Sequence, residues 1–250
     1  MARVVSPALR ALLEHLIDYA GMFPPASLAR EKALANYRRY CAGDNRWMLG
    51  RFVIAAADLP DGVDLPFTVL SNVDTPRAAA IESKQILSTP KPTYCEVSLH
   101  QLDDLKKAGS FAKLRTGAVR RDGIPSIDGV REFITACAQR RLPFKATAGL
   151  HHPIRSEHPL TYEPGASVAT MHGFINVFLG AAFAWHGMRD IGPVLAETDA
   201  SAFRFDDRAH WRDVSLSATE ISAARQEFAH SFGSCSFEEP LADLEQLGWL

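Results

Sequence analysis

The sequence predicts an α/β fold: a TIM-barrel-like (β/α) barrel, irregular or incomplete, formed by residues 1–250 as a single domain. Three observations predict it. Between Thr93 and His152 the apolar spacing switches between a period of two and helical spacing. It gives strand, helix, strand, helix, strand, the pattern of parallel strands with crossover helices. At 250 residues the chain has the size of one barrel and enough apolar residues, 47%, for a substantial core. No internal repeat, low-complexity tract or Gly/Ser linker divides it. Five strands are placed by pattern, whereas a full barrel needs eight.

Taken in order, Ser6 and Pro7 form an N-cap and first-turn pair, and Leu9, Leu12, Leu13, Leu16 and Ile17 follow at helical spacing. This helix is expected to end near Gly21, with Asp18 and Tyr19 at its end, where capping and packing are favoured over a contribution to a site. A second helix is expected over Leu28 to Cys41, with Leu34, Tyr37 and Tyr40 inward. The run W-M-L-G-R-F-V-I-A-A-A ends in a first core strand, and Leu65 to Leu70 forms a second. Thr75 and Pro76 are read as capping a helix that runs to about Leu87. The central strands are T-Y-C-E-V-S-L (93–99), A-K-L-R-T-G (112–117) and P-F-K-A-T-A-G-L (143–150). Helical spacing falls between them at Q-L-D-D-L-K-K-A and S-I-D-G-V-R-E-F-I-T-A-C-A-Q-R-R. A proline-punctuated loop, H-H-P-I-R-S-E-H-P-L-T-Y-E-P, leads into an apolar helix over Val168 to Trp185 that contains His172. A short hairpin turning at Asp206 and Asp207 comes next. It precedes a helix from Leu216-Ser217 with Ile221, Ala224, Phe228 and Phe232 on one face. The chain closes with F-G-S-C-S-F, a turn or short strand, and a terminal helix with Glu238 and Glu239 in its first turn.

A net charge of −2 with no long basic run argues against a nucleic-acid surface. Cys41, Cys95, Cys137 and Cys235 are widely spaced with no C-x-x-C. That disfavours a structural zinc site or a disulfide framework and favours a reducing cytoplasm. The N-terminus becomes charged too early for a secretory leader. The uncharged run over Val168 to Trp185 has the length of a spanning helix, but His172, Asn176 and two glycines favour packing inside a globular core.

Side chains alternate across a strand, so Lys113 shares a face with Arg115, Lys145 with Thr147, and Glu96 with Tyr94 and Ser98. Any one of these cations, taken alone, reads as a strand-end side chain reaching solvent. Three cations and a carboxylate at matching phase on neighbouring strands are costly to desolvate without partners or a ligand. They predict a polar cluster at the barrel mouth, where strand ends carry active sites. A lysine attacks carbonyl carbon only when neutral, and burial or a nearby cation favours that form. Lys113 and Lys145, with Arg115 beside them, are therefore candidates for Schiff-base chemistry.

At these residues the chain resembles deoxyribose-phosphate aldolase, a class I aldolase on an α/β barrel. K-L-R-T-G (113–117) and K-A-T-A-G-L (145–150) are similar to that family's K-T-S-T-G and K-A-S-G-G-I strands, in the same order and at a comparable separation. I-P-S-I-D-G-V-R resembles the helix start between them. The resemblance covers about a quarter of the chain and implies Lys113 as the nucleophile and Lys145 as its electrostatic partner. The family's proton-relay aspartate has no evident counterpart. Arg115 stands where the family has a small polar residue, and H-H-P-I-R replaces its Gly-rich phosphate turn. A phosphate could instead meet the backbone at G-S-C-S (233–236). Glu96 in C-E-V-S-L is similar, more faintly, to the E-V-E-V strand of the quinolinate phosphoribosyltransferase barrel. The end pieces D-Y-A-G-M-F-P-P-A and F-G-S-C-S-F-E-E-P resemble those of an uncharacterised bacterial family, which implies no activity.

The expected function is lyase chemistry of the aldolase type on a small anionic carbonyl compound, through an imine on Lys113. Lys113, Lys145, Glu96, His151 and His152 are the expected catalytic residues. Arg115, Thr147, Arg155, His172 and Ser234 are the expected substrate contacts. No cofactor, metal, membrane or nucleic-acid partner is expected, and a homo-oligomer is left open. Two alternatives stand beside this reading. One is a metal-dependent hydrolase or lyase using His151, His152, His158 and His172 with Glu96, Glu157 or Glu163, although no H-E-x-x-H or H-x-H spacing supports it. The other is a non-catalytic barrel that binds a small anion. Cys235 is a candidate thiol nucleophile only if a histidine lies beside it.

Overall fold

The computed structural model describes residues 5–250. The reading of the N-terminus as no secretory leader rests partly on residues 1–4, which lie outside them.

Ser6 caps α1 (Pro7–Leu13), its hydroxyl accepting from the Leu9 amide, and Ala8, Leu9, Leu12 and Leu13 are buried. The helix stops at Leu13, well short of the expected end near Gly21. His15 takes a left-handed φ of 49° and turns the chain, so Ile17–Tyr19 becomes strand β1. The residues expected at a helix end thus form part of the barrel wall. Strand β1 is held by β13 on one side and β2 on the other, a pairing that local spacing cannot reveal.

Next come α2 (Arg30–Ala42), with Leu34, Tyr37 and Tyr40 buried as expected, β2 (Leu49–Ala55) and β3 (Phe67–Leu70). Strand β4 (Ala80–Ser83) lies where a helix over Thr75 to Leu87 was expected. Ala78, Ala79 and Ala80 favour a helix locally, but ladder partners on both sides of β4, β3 and β5, override that preference. Strand β5 (Thr93–Cys95) leads through a short turn of helix into α3 (Leu102–Lys107). Strand β6 (Phe111–Arg115), α4 (Ile127–Gln139, capped by Ser126) and β7 (Phe144–Thr147) complete the alternation read from the sequence.

The loop after β7 contains β8 (Ser156–Pro159), which pairs antiparallel with β9 (Val168–Met171). The expected helix over Val168 to Trp185 therefore begins only at Phe174, as α5 (Phe174–Trp185). Every residue from Phe174 to Phe183 in it is buried, which explains the uncharged run. Among the described residues no helix is long and apolar enough to cross a membrane. A short α6 (Gly192–Ala196) precedes the antiparallel sheet of β10 (Phe203–Phe205), β11 (Arg208–Trp211) and β12 (Val214–Ser217), which turns at Asp206 and Asp207 as expected. Ser217 caps α7 (Ala218–Glu227) through a capping box with Glu220. The helix ends before Phe228, so Phe232 belongs to β13 (Ala229–Ser234), and α8 (Glu238–Gln246) closes the chain.

Eight parallel strands close in the order β1-β13-β7-β6-β5-β4-β3-β2, a TIM-barrel-like fold. Closure leaves no edge in the barrel. The wall is complete, but its outer layer is irregular: no α-helix joins β2 to β3, β3 to β4 or β4 to β5. Strand alternation sorts the side chains. Phe52, Phe67, Phe144 and Phe232 face the apolar layer outside the wall, where Phe144 meets Phe133 of α4 and Phe178 of α5. Asp18, Glu82, Lys113, Lys145 and Ser231 occupy the opposite phase and meet inside the barrel.

Candidate active site at the barrel mouth

Parallel pairing of β6 with β7 sets Lys113 directly beside Lys145. Two neighbouring ammonium groups repel unless carboxylates intervene, and Glu82 of β4 intervenes: its Oε2 is 2.7 Å from Lys113 Nζ and its Oε1 is 2.6 Å from Lys145 Nζ. Lys145 also donates to Asp18 Oδ2 at 2.6 Å. Asp18 is fixed in turn by the Arg51 amide at 2.7 Å and the Ser231 hydroxyl at 2.9 Å. Glu96, just beyond β5, lies 3.5 Å from Lys113 and accepts a two-pronged bond from Arg115 at 2.9 and 3.2 Å. The cluster balances three cations against three carboxylates.

The four charged residues expected to converge do so, and Asp18, expected chiefly as a capping residue, and Glu82, which the sequence did not single out, complete the set. Burial pushes the Glu82 carboxyl up, but Lys145 and Lys113 outweigh it and hold it below the usual carboxylate range. Burial likewise pushes Lys145 down, and Asp18 and Glu82 outweigh it, so Lys145 stays an ammonium. Lys145 has no accessible surface.

Above the cluster, at the C-terminal ends of the strands, lies a cavity of about 320 Å³. Lys113, Arg115, Thr147, His151 and Cys235 line it, with Glu82 at its floor and Phe23, Pro24, Leu160 and Met171 as apolar wall. Lys113 is the only lysine lining it among the described residues. A wider recess of about 840 Å³ lies around Arg10, His15, Arg46 and Trp47 at the opposite end, the face that in such barrels serves stability.

The two glycines of the lysine motifs touch at the cavity rim. A Cβ on Gly149, whose φ is 76°, would stand 2.6 Å from the Gly117 Cα. Gly149→Ala is therefore expected to cost about 1–3 kcal/mol and to spread the β6 and β7 ends. A urea midpoint equal to that of the parent would refute this close-packing argument.

The other expected residues separate. His151 faces the cavity, with Nδ1 2.8 Å from Glu239 and Nε2 3.8 Å from Cys235 Sγ. His152 turns to α8, where Nδ1 is 2.6 Å from Asp243, and stacks on His158. His172 is buried with Nε2 2.8 Å from the Pro125 carbonyl oxygen, so it ties a loop and does not reach the cavity. Arg155 lines a separate surface recess beside Glu157, and its amide donates to Asn176. Ser234 is buried, with its hydroxyl accepting from the Ser236 amide, while its neighbours Gly233 and Cys235 line the cavity. His152, Arg155, His172 and Ser234 thus lie outside the lining of this cavity. His151, His152 and His158 adjoin while His172 stands apart, and among the described residues no group of three or more His, Cys, Asp or Glu is arranged to hold a metal ion. No family model, curated protein or solved structure matches the chain.

Proposed function

We propose that the protein is an enzyme acting on a small anionic carbonyl compound bound in the mouth cavity, with aldolase-type lyase chemistry through an imine on Lys113. The observation that carries this reading is the single cavity-lining lysine, flanked by Arg115 and backed by a buried ion network. Lys145 is fully enclosed, so its part is to fix Asp18 and Glu82 in place.

In the reaction the neutral Lys113 amine attacks the carbonyl carbon and water leaves, giving an imine whose protonated form withdraws electrons from the neighbouring carbon–carbon bond. Lys113 must first give up a proton. Glu96, 3.5 Å away and part exposed, is the carboxylate through which that proton reaches solvent. A substrate anion competes with Glu96 for the Arg115 guanidinium, which suits planar, two-pronged recognition of carboxylate or phosphate. His151 moves protons at the substrate end.

Borohydride trapping tests the reading. The protein is incubated with pyruvate, glyoxylate, glycolaldehyde and glyceraldehyde 3-phosphate, reduced, digested and weighed by mass spectrometry. The expected result is an adduct on Lys113 with at least one of these compounds, none on Lys145, and none in Lys113→Arg. A panel with no adduct on Lys113 would sink the proposal.

A further inference from the structure

The same cavity holds a second reactive arrangement. Cys235 is the first residue beyond β13, His151 follows the end of β7, and Glu239 lies in the first turn of α8. Cys235 Sγ is 3.8 Å from His151 Nε2, and His151 Nδ1 is 2.8 Å from Glu239 Oε2. A carboxylate only accepts hydrogen bonds, so the Nδ1 position carries the proton and the Nε2 lone pair faces the thiol. Tyr162, from the β8–β9 hairpin, donates its hydroxyl to Glu239 Oε2 at 2.8 Å and lies 3.6 Å from the sulfur. Nucleophile, base and orienting carboxylate are thus in line, with a cavity in front of the thiol.

We propose that Cys235, His151 and Glu239 form a thiol acyl-transfer centre, acting on small anionic acyl compounds with a good leaving group, such as esters or thioesters. This inference does not depend on an imine at Lys113. The Cys235 thiolate adds to the acyl carbon, a carbon–sulfur bond forms, the bond to the leaving group breaks, and His151 hands that group a proton. Water then gives a proton to His151 and attacks the same carbon. The carbon–sulfur bond breaks, the carboxylic acid leaves and the thiol is restored. Lys113 and Arg115 on the facing wall select an acyl group that carries negative charge.

The remaining thiols lack this setting. Burial pushes Cys95 up and Cys137 up to about 12, and the exposed Cys41 is also pushed up by partial burial. For His151, burial pushes the imidazolium down, but its contacts with Cys235 and Glu239 outweigh it and raise it to about 9. The groups around the pair are Glu239 and Glu238 of α8, Tyr162 of the hairpin, Tyr19 of β1, and His152 with His158 in the loop after β7.

The test is alkylation of the native full chain by iodoacetamide between pH 6 and 9, read cysteine by cysteine by mass spectrometry, with exposed Cys41 as internal reference. Cys235 is expected to react about tenfold or more faster than Cys41 at pH 6.5. His151→Gln is expected to slow Cys235 about tenfold at that pH and leave Cys41 unchanged. Glu239→Gln, an independent variant should the first fail to fold, is expected to give a smaller loss. In a second arm, 4-nitrophenyl acetate and mono-4-nitrophenyl succinate are expected to acylate Cys235, the succinyl ester faster, with no adduct at that position in Cys235→Ala. Equal rates at Cys235 and Cys41, or no change in either variant, would overturn the activated thiol. Fast alkylation without an acyl adduct would overturn acyl transfer. Neither reagent reports on an imine, so failure here and failure of the lysine chemistry are separately visible.

Discussion

Lys145→Met is expected to lower the free energy of unfolding by about 3–5 kcal/mol, as removal of one partner from a buried ion network does. Methionine roughly keeps the length and volume of the side chain, so what is lost is the charge and its hydrogen bond. Lys145 Nζ is 2.6 Å from both Asp18 and Glu82, and all three side chains are buried. Without the ammonium, Glu82 keeps only Lys113 at 2.7 Å, and Asp18 keeps the Arg51 amide and the Ser231 hydroxyl. Urea unfolding at pH 7 measures the effect as a shift in midpoint at unchanged slope. A cost below about 1 kcal/mol would mean that water reaches the two carboxylates, and the dry network would be disproved.

The parent protein's pH profile follows from the same geometry. Glu82 is held below its ordinary value, so its contribution is complete above the unfolded carboxyl pKa of about 4.3 and is lost as pH falls through the folded value. Lys145 is held above its ordinary value. Its contribution is complete below the unfolded lysine pKa of about 10.4 and is lost as pH rises through the folded value. The stability these two groups contribute is therefore flat in between. Loss of stability beginning near neutral pH would have to come from other groups.

The lysine cluster was legible because strand alternation is a local rule. The phases of Lys113, Arg115 and Lys145 follow from counting residues, and β6 pairs with β7 in the register that sets the two lysines side by side. Asp18 and Glu82 were not legible in this way. Ile17–Tyr19 and Ala80–Ser83 are strands of three and four residues, too short to carry a period, and both sit in sequence with helical spacing. A physical signal for them did exist. Three cations placed on barrel strands with one carboxylate between them require further anions, and eight strands require three more segments than pattern supplied. Asp18 and Glu82 supply the anions, and their strands β1 and β4 are two of the three missing segments, β13 being the third. The thiol centre was hidden for another reason: His151 stands 84 residues from Cys235 and 88 from Glu239, and only barrel closure brings them together.

Phe144→Ala, one residue before Lys145, is expected to cost a similar 3–5 kcal/mol by different physics. Phe144 points outward from the wall and is fully buried, with ring centroids 5.9 Å from Phe133, 6.3 Å from Phe178 and 5.1 Å from Phe228. Truncation removes apolar contact and leaves a cavity that helices α4 and α5, themselves packed on other neighbours, cannot close. Nothing in that loss titrates, so its size should be the same at pH 7 and pH 4. The cost of Lys145→Met should shrink over that interval, because in the variant Glu82 loses its main counter-charge and protonates more readily, removing a buried charge. Unfolding both variants at both pH values separates the cases. Parallel pH dependence would mean that the barrel interior and the outer layer are held by the same kind of force, against the division between charged lumen and apolar shell that places the candidate site.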